Sequence, residues 1–201
     1  MDEKGSVKQT IMDKALELFS AKGYEGVSVS ELTEAAGITK PTLYYYFGSK
    51  EGLYEAVCQS HYALLDKLIL ENAGYKPNPK IYKEDICLTL TKVTGAYFSF
   101  SGEHSAFYRI YLANSSMPSS SAVFKIVEKY HFTQYEIIES MFRNMAKTHG
   151  NLRGKSKMLS WTFLGMINSF ISLGFGLVSG HILNEKSAAE IVHQFMHGIY
   201  A

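Results

Sequence analysis

The sequence predicts an all-α fold of about nine helices, and three observations lead to that prediction. Apolar residues recur at spacings of three and four along most of the chain, which is the period of an amphipathic helix. No segment alternates apolar and polar residues at period two, so no β-sheet is predicted. Residues 72–80 and 115–121 are rich in Gly, Pro, Asn and Ser, and they separate the helical stretches.

The composition allows a sizeable hydrophobic core. The chain has 201 residues, a formal net charge of +1 and an aromatic content of 13%, with 14 Tyr and 12 Phe. A chain of this length can form one domain or two, and so many aromatic residues can serve a ligand as well as the core. Residues 1–60 hold six Lys and nine acidic residues, so this segment lacks the net positive charge that is common in nucleic-acid-binding domains.

Residues 28–47 have the pattern of two short helices joined by a glycine turn. Ser28 can cap the first helix, and Glu31 can reach back to complete a capping box. Gly37 follows, where the end of a helix needs a residue that tolerates positive φ. Thr39 can cap the second helix, whose first turn accepts Pro41. This pattern predicts a helix-turn-helix, whose second helix lies in the major groove of DNA.

Further helices are predicted on both sides of this pair. Residues 7–22 form a first helix that braces it, and residues 49–71 form a fourth helix capped by Ser49. Lys50, in the first turn of that fourth helix, is unfavourable for the helix dipole unless a phosphate group binds there. Later helices are expected at about residues 83–99, 104–113, 121–148, 155–179 and 187–200, with Ser187 and Glu190 as a second capping box.

Residues 37–53, GITKPTLYYYFGSKEGL, with the lead-in at residues 21–28, resemble the signature of the TetR family of bacterial transcriptional regulators. The resemblance covers about the first quarter of the chain. It implies a DNA-binding domain at residues 1–48 and a helical domain at residues 49–201 for effector binding and dimerisation. It also implies a cytoplasmic regulator, commonly a repressor, that binds a palindromic double-stranded DNA operator as a homodimer.

The DNA-binding residues are assigned from the helix pattern and from the resemblance. We expect Lys40 and Thr42 to lie nearest the bases, and Tyr45 can exchange roles with Thr42. The roles of Tyr44 and Tyr46 as phosphate contacts rest on the resemblance. The whole predicted set is Ser28, Ser30, Thr39, Lys40, Pro41, Thr42, Tyr44, Tyr45, Tyr46 and Lys50.

A group of mostly aromatic residues is predicted to line a pocket for a small hydrophobic or aromatic effector. Any single member could be an ordinary core residue, but their number and the resemblance favour a pocket. The predicted set is Tyr97, Phe100, Phe107, Tyr108, Tyr111, Phe124, Trp161, Met166 and Phe170. The alternative is a DNA-binding adaptor controlled by a protein partner, and a cavity of a few hundred Å³ would favour the ligand.

Residues 159–178 contain no charged residue and have about the length of a membrane span. Several polar residues and three glycines lower the hydrophobicity, so we predict a dimer helix and no membrane contact. With the last helix it would form the seam of a homodimer. The predicted interface is Gly165, Ser169, Ser172, Gly176, Ile191, Phe195 and Ile199.

No metal site, cofactor or enzyme activity is predicted. His193 and His197 have a spacing that can hold a metal ion, but no HExxH pattern or third ligand accompanies them. Cys58 and Cys87 have neither zinc-site nor CxxC spacing, which is typical of reduced thiols in the cytoplasm. Catalytic Ser-His-Asp order, a paired-carboxylate motif and a phosphate loop are all absent from the sequence.

Overall fold

The computed structural model describes residues 3–81, 84–177 and 183–198, and all regular secondary structure in these ranges is helical. The α-helices of the described residues are α1 (Glu3–Lys22), α2 (Val29–Ala36), α3 (Lys40–Phe47), α4 (Lys50–Asn72), α5 (Glu84–Glu103), α6 (Ser105–Ser115), α7 (Ala122–Thr148), α8 (Ser156–Ser172) and α9 (Glu185–His197). Short 3₁₀ turns lie at Pro79–Ile81 and Gly150–Leu152, and a π-helical turn at Leu173–Leu177 follows α8. The prediction of an all-α fold with about nine helices is confirmed.

The helices form two compact units. Unit 1 comprises Met1–Ala63 and His104–Tyr130, and unit 2 comprises Leu64–Glu103 and His131–Ala201. Helices α4 and α7 each contribute to both units. The predicted boundary at residues 48 and 49 stays a prediction, but the compact unit that contains α1–α3 also includes α6.

Three aromatic rings lie at the centre of unit 1. They belong to Phe19 of α1, to Tyr24 in the loop before α2 and to Tyr54 of α4. The ring centroids lie between 4.9 and 5.7 Å apart, and all three side chains are buried. The Tyr54 hydroxyl donates a hydrogen bond to Asn114 Oδ1 of α6 at 2.9 Å. Helix α1 packs against both α2 and α6. It therefore braces the helix-turn-helix, as its apolar stripe predicts.

A second aromatic cluster holds α7, α8 and α9 together in unit 2. The Phe163 ring lies 5.4 Å from Phe195 and 5.8 Å from Phe142, measured between centroids. Helix α9 also packs against α5. The apolar residues of α8 and α9 thus serve first to build the core of their own unit.

A buried carboxylate ties the segment after α4 to the segment after α7. The Tyr75 hydroxyl and the Asn78 N–H donate to Asp85 Oδ2 at 2.9 and 3.0 Å, and His149 Nε2 lies 3.1 Å from Asp85 Oδ1. His149 Nε2 also lies 2.8 Å from the Tyr75 hydroxyl oxygen, so the three side chains form one network. Burial raises the pKa of Asp85, but hydrogen bonds from Asn78 and Tyr75, the His149 charge and the Ile86 N–H bring it below its ordinary value.

A second buried chain of hydrogen bonds joins α5, α7 and α4. The Tyr97 hydroxyl donates to Gln134 Oε1, and Gln134 Nε2 donates to Asp66 Oδ1. Tyr97 and Gln134 are fully buried. Burial raises the pKa of the Asp66 carboxyl, and the hydrogen bond from Gln134 partly offsets that rise.

The last helix begins earlier than the sequence predicts. Asn184 is its N-cap: Asn184 Oδ1 accepts from the Ser187 N–H at 3.0 Å, and Ser187 Oγ accepts from the Asn184 N–H at 2.9 Å. The predicted capping box of Ser187 with Glu190 is therefore wrong, because Asn184 provides an equally good cap three residues earlier. The predicted ends of the last two helices, residues 178–179 and 199–200, lie outside the described residues.

Candidate DNA-binding surface and cavities

The capping of α2 fixes the first half of the helix-turn-helix. Ser28 Oγ accepts from the Glu31 N–H at 3.2 Å, and Glu31 Oε2 accepts from the Ser28 N–H at 2.8 Å, which confirms the predicted capping box. Lys22 Nζ also lies 2.6 Å from Glu31 Oε1. Hydrogen bonds from Lys22 and Ser28 lower the pKa of Glu31 to about 2. Gly37 ends the helix with φ of 65°, as predicted.

Helix α3 buries one side and presents the other to solvent. Thr39 is its N-cap and Pro41 lies in its first turn, both as predicted. Leu43 is fully buried, whereas Tyr45 is 73% exposed. Thr42 is half-buried and its hydroxyl lies 2.9 Å from that of Thr39. Tyr45 therefore presents much more of its side chain to solvent than Thr42 does.

All ten predicted DNA-contacting residues retain solvent access. Seven are exposed, namely Ser28, Ser30, Thr39, Lys40, Pro41, Tyr44 and Tyr45. Three are half-buried, namely Thr42, Tyr46 and Lys50. Lys50 is held by an unforeseen partner, because its Nζ lies 4.1 Å from the centroid of the Tyr24 ring. Tyr24 thus orients the lysine, a role that its position before α2 did not reveal.

Gly52 is a second residue whose role the sequence pattern did not reveal. A Cβ atom at this position would lie 2.0 Å from the Phe47 carbonyl oxygen. No side chain fits there, so Gly52 permits the close approach between the end of α3 and the first turn of α4. The Ser49 hydroxyl accepts from the Gly52 N–H at 3.0 Å and caps α4, as predicted.

Replacing Lys50 by Ala should weaken binding to all DNA sequences to a similar extent. Loss of one phosphate contact should reduce the slope of log affinity against log salt concentration by about one unit. Fluorescence anisotropy at several salt concentrations measures both quantities. Lys14→Ala is a matched control, because Lys14 pairs with Glu17 on α1. A changed sequence preference with an unchanged salt slope would contradict the phosphate assignment.

The residues predicted to bind an effector lie in both units. Phe107, Tyr108 and Tyr111 are buried in unit 1, where the Phe107 ring stacks on His61 with centroids 4.9 Å apart. Phe124 is half-buried in the same unit. The members in unit 2 are Tyr97 and Phe100, which are buried, Met166 and Phe170, which are half-buried, and Trp161, which is 48% exposed. Their assignment to an effector site stays a prediction.

Described residues of unit 2 line a larger and a smaller cavity. The larger, of about 1070 Å³, is bounded by the end of α4, one face of α5 and the start of α9, and we name it the α5 groove. Its lining from α4 and α5 is Leu68, Asn72, Glu84, Cys87, Leu88, Thr91, Lys92, Gly95, Ala96, Phe98 and Ser99; its remaining lining is Leu183, Asn184, Glu185 and Ala189. The smaller, of about 450 Å³, lies between α7 and α8 and is lined by Phe132, Tyr135, Glu136, Glu139, Lys157 and Trp161.

From Met158 onward, helix α8 presents an uncharged face to solvent, and Lys157 in its first turn has its Nζ 5.1 Å from the centroid of the exposed Trp161 ring. Met158, Trp161, Thr162, Gly165 and Ser169 are exposed on this face. Ser172 is half-buried, and Gly176 in the following π-helical turn is exposed. By length and composition Ser156–Gly176 could cross a membrane, with a mean hydropathy of 1.3. However, its opposite side enters the core of unit 2, and core helices of water-soluble proteins pass the same test.

The predicted interface residues of α9 are less exposed than those of α8. Ile191 is 5% exposed, so almost all of it already packs within unit 2. Phe195 is half-buried and contacts Phe142 and Phe163. Ile199 lies outside the described residues. The His193 and His197 rings stand 4.6 Å apart, but no group of three metal-ligating side chains occurs among the described residues.

Comparison with known proteins identifies the N-terminal region. Residues 11–57 match the family model of the bacterial regulatory proteins, tetR family. A curated relative is the biofilm operon icaADBC HTH-type negative transcriptional regulator IcaR of Staphylococcus aureus (strain Newman), 36% identical over 66 residues. That alignment covers 33% of this chain. It spans 36%, about a third, of the relative's own length.

Solved structures share the fold over nearly the whole chain. The transcriptional regulator FadR from Bacillus subtilis, in complex with stearoyl-CoA, matches with a TM-score of 0.77, 15% identity, and coverage of 95% of this chain and 98% of that one. AibR, in complex with isovaleryl coenzyme A and operator DNA, matches with a TM-score of 0.70, 19% identity, and coverage of 94% and 97%.

The capped helix pair, its glycine turn and the exposed face of α3 define a helix-turn-helix DNA-binding domain. Residues 11–57 within it match the model of the TetR family of bacterial regulatory proteins, and the chain as a whole has the TetR-type fold. The family and the matched relatives are transcriptional regulators and not enzymes.

Proposed function

We propose that this chain is a ligand-responsive transcriptional repressor that binds a palindromic operator as a homodimer. The observation that carries the proposal is the helix-turn-helix, whose recognition helix α3 has an exposed face within the family match at residues 11–57. The negative regulator IcaR supports repression rather than activation. A regulator of this kind acts in the cytoplasm, where the operator is.

In the proposed complex, the N-terminal half of α3 enters the major groove. Lys40 and either Thr42 or Tyr45 contact base edges, and the greater exposure of Tyr45 supports Tyr45. Tyr44, Tyr46 and Lys50 contact phosphates together with the N-terminus of α4. Few cations are needed, because each acts locally at its own phosphate. This accounts for a DNA-binding segment without net positive charge.

The proposed homodimer forms through the uncharged outer face of α8. Only 28% of the most apolar window of Ser156–Gly176 is buried within the chain, so a large neutral surface is free for a partner subunit. Gly165 and Ser169 lie in the middle of this face, and such small residues allow the same helix of a second copy to approach closely. A two-fold dimer requires one self-complementary surface, and this face provides one.

A small hydrophobic effector is proposed to release the operator. The α5 groove, of about 1070 Å³, is large enough for a ligand and favours this mechanism over control by a protein partner. FadR and AibR were solved with stearoyl-CoA and isovaleryl coenzyme A, and a ligand with an apolar chain is therefore consistent with the shared fold.

The test is a footprint of the purified protein on DNA upstream of its own gene and the adjacent genes. Protection of two half-sites whose centres are about one or two helical turns apart is expected from a two-fold dimer. Binding to a single half-site, or equal affinity for scrambled DNA, would overturn the proposal. Light scattering on the free protein and on the complex gives the number of subunits bound.

A further inference from the structure

We propose that the α5 groove is the effector site, and that its ligand has one extended apolar chain and a positively charged head. The proposal depends on the proposed function for its link to DNA, whereas the binding itself does not. The groove differs from the aromatic set predicted from the sequence, because none of those nine residues lines it.

The lining of the groove suits a long and narrow ligand. Residues of α5 from Glu84 to Ser99 line it at helical spacing, which corresponds to about 22 Å at 1.5 Å per residue. Leu68 of α4 and Leu183 supply apolar side chains from outside α5, and Leu88 is a large apolar residue that is 56% exposed. An extended hydrocarbon chain would cover these side chains and remove them from water.

The charges of the groove favour a cation at the head of the ligand. Among the described residues that line the groove, the charged side chains are Glu84, Glu185 and Lys92. This described lining therefore has a net charge of −1. Charge complementarity then disfavours a carboxylate and favours an ammonium group in the same position.

The groove is also lined by α4, the helix that follows the helix-turn-helix directly. Leu68 and Asn72 belong to the last turns of α4, and Asn72 Nδ2 donates to the Leu68 carbonyl oxygen at 2.8 Å. Helix α4 continues without a break back to Lys50, next to the recognition helix. A ligand that fits one position of this helix end better than another shifts the equilibrium between DNA-binding and released forms.

Gly95 offers a way to fill the groove without disturbing the fold. It lines the groove, and a Cβ atom built there meets no other atom within 4 Å. Gly102 on the same helix is also in open space but does not line the groove. Gly95→Phe should therefore block the site, and Gly102→Phe is a matched control. Both changes replace a glycine inside a helix, which favours the helix.

Cys87 provides a direct measure of occupancy. It lines the groove and is half-buried, whereas Cys58 is fully buried with a pKa raised to about 12 by that burial. N-ethylmaleimide should therefore label Cys87 selectively, and Cys87→Ser confirms which thiol reacts. Burial also raises the pKa of Cys87, so the reaction is followed at mildly alkaline pH.

The experiment compares dodecyltrimethylammonium with dodecanoate, each below the concentration at which it forms micelles. At about ten times the dissociation constant, the ammonium compound should slow labelling of Cys87 about tenfold in the parent protein and in Gly102→Phe. It should have no effect on labelling in Gly95→Phe. Dodecanoate at the same concentration should protect Cys87 much less. Operator binding, measured in parallel, should weaken only in the variants that the ammonium compound protects.

Each failure has a distinct meaning. Equal protection in Gly95→Phe would overturn the site, and equal or better protection by dodecanoate would overturn the charge of the head. Protection of Cys87 without any change in operator affinity would overturn the effector role of the groove. Failure of the ligand-free protein to bind any operator would instead contradict the proposed function, and the labelling result would still decide whether the groove binds the ligand.

Discussion

Gly165→Arg is expected to give a folded monomer whose operator affinity is at least about a hundredfold weaker, because it engages only one half-site. Gly165 lies on the exposed face of α8, and a Cβ atom there meets no other atom within 4 Å. On this exposed face the arginine side chain is expected to extend into solvent in the isolated chain. In the proposed dimer it would place two like charges in a buried and close-packed seam, which is strongly unfavourable.

Size-exclusion chromatography with light scattering reports the oligomeric state, and fluorescence anisotropy reports operator affinity. Gly102→Arg introduces the same side chain at another open position, on α5, and should remain dimeric. Unchanged circular dichroism would establish that Gly165→Arg is folded. If that variant remains a dimer with normal operator affinity, the seam does not run through this face of α8.

Asp85→Ala is expected to lower the free energy of unfolding by about 3–5 kcal/mol, the cost of breaking a buried charged network by removing one partner. The Asp85 side chain is 3% exposed, and the change removes the carboxylate that accepts from the Tyr75 hydroxyl and the Asn78 N–H and lies 3.1 Å from His149 Nε2. Urea unfolding followed by circular dichroism measures the effect. The exposed neighbour Glu84 is the control, since Glu84→Ala should change stability by less than about 0.5 kcal/mol.

The same network predicts a pH dependence. The pKa of Asp85 is lower in the folded protein than its ordinary value. The carboxylate therefore contributes stability above about pH 4, and this contribution is lost as the pH falls through the lower, folded pKa. The difference in stability between the parent protein and Asp85→Ala should shrink in that acidic range. A difference that stays constant from pH 7 down to pH 2 would contradict an ionised Asp85.

The sequence predicts local structure well where the signal lies within a few residues. The Ser28 and Glu31 box, Gly37 and the Thr39 cap depend on neighbours three or four positions away, and the structure has all of them. The error at Ser187 has the same cause, because Asn184 is an equally good cap and the sequence does not rank the two.

The cavity could not be predicted, because core and pocket use the same residue types. Tyr97 is an aromatic residue of α5 that looks suitable for a ligand, but its hydroxyl is bonded to Gln134, 37 residues away. The α5 groove instead uses ordinary residues such as Leu88 and Gly95, whose exposure depends on how α4 and α9 pack. Only the three-dimensional arrangement distinguishes residues that fill the core from residues that line a cavity.

The contact of α1 with α6 has a consequence for exchanging domains between related regulators. A chimaera joined after residue 48 would transplant α1–α3 without α6, against which α1 packs in this chain. The module that can be moved intact is thus not a continuous stretch of sequence. A chimaera designed to change DNA specificity should therefore include α6 with α1–α3. Otherwise the recipient protein needs an α6 that already packs against this α1.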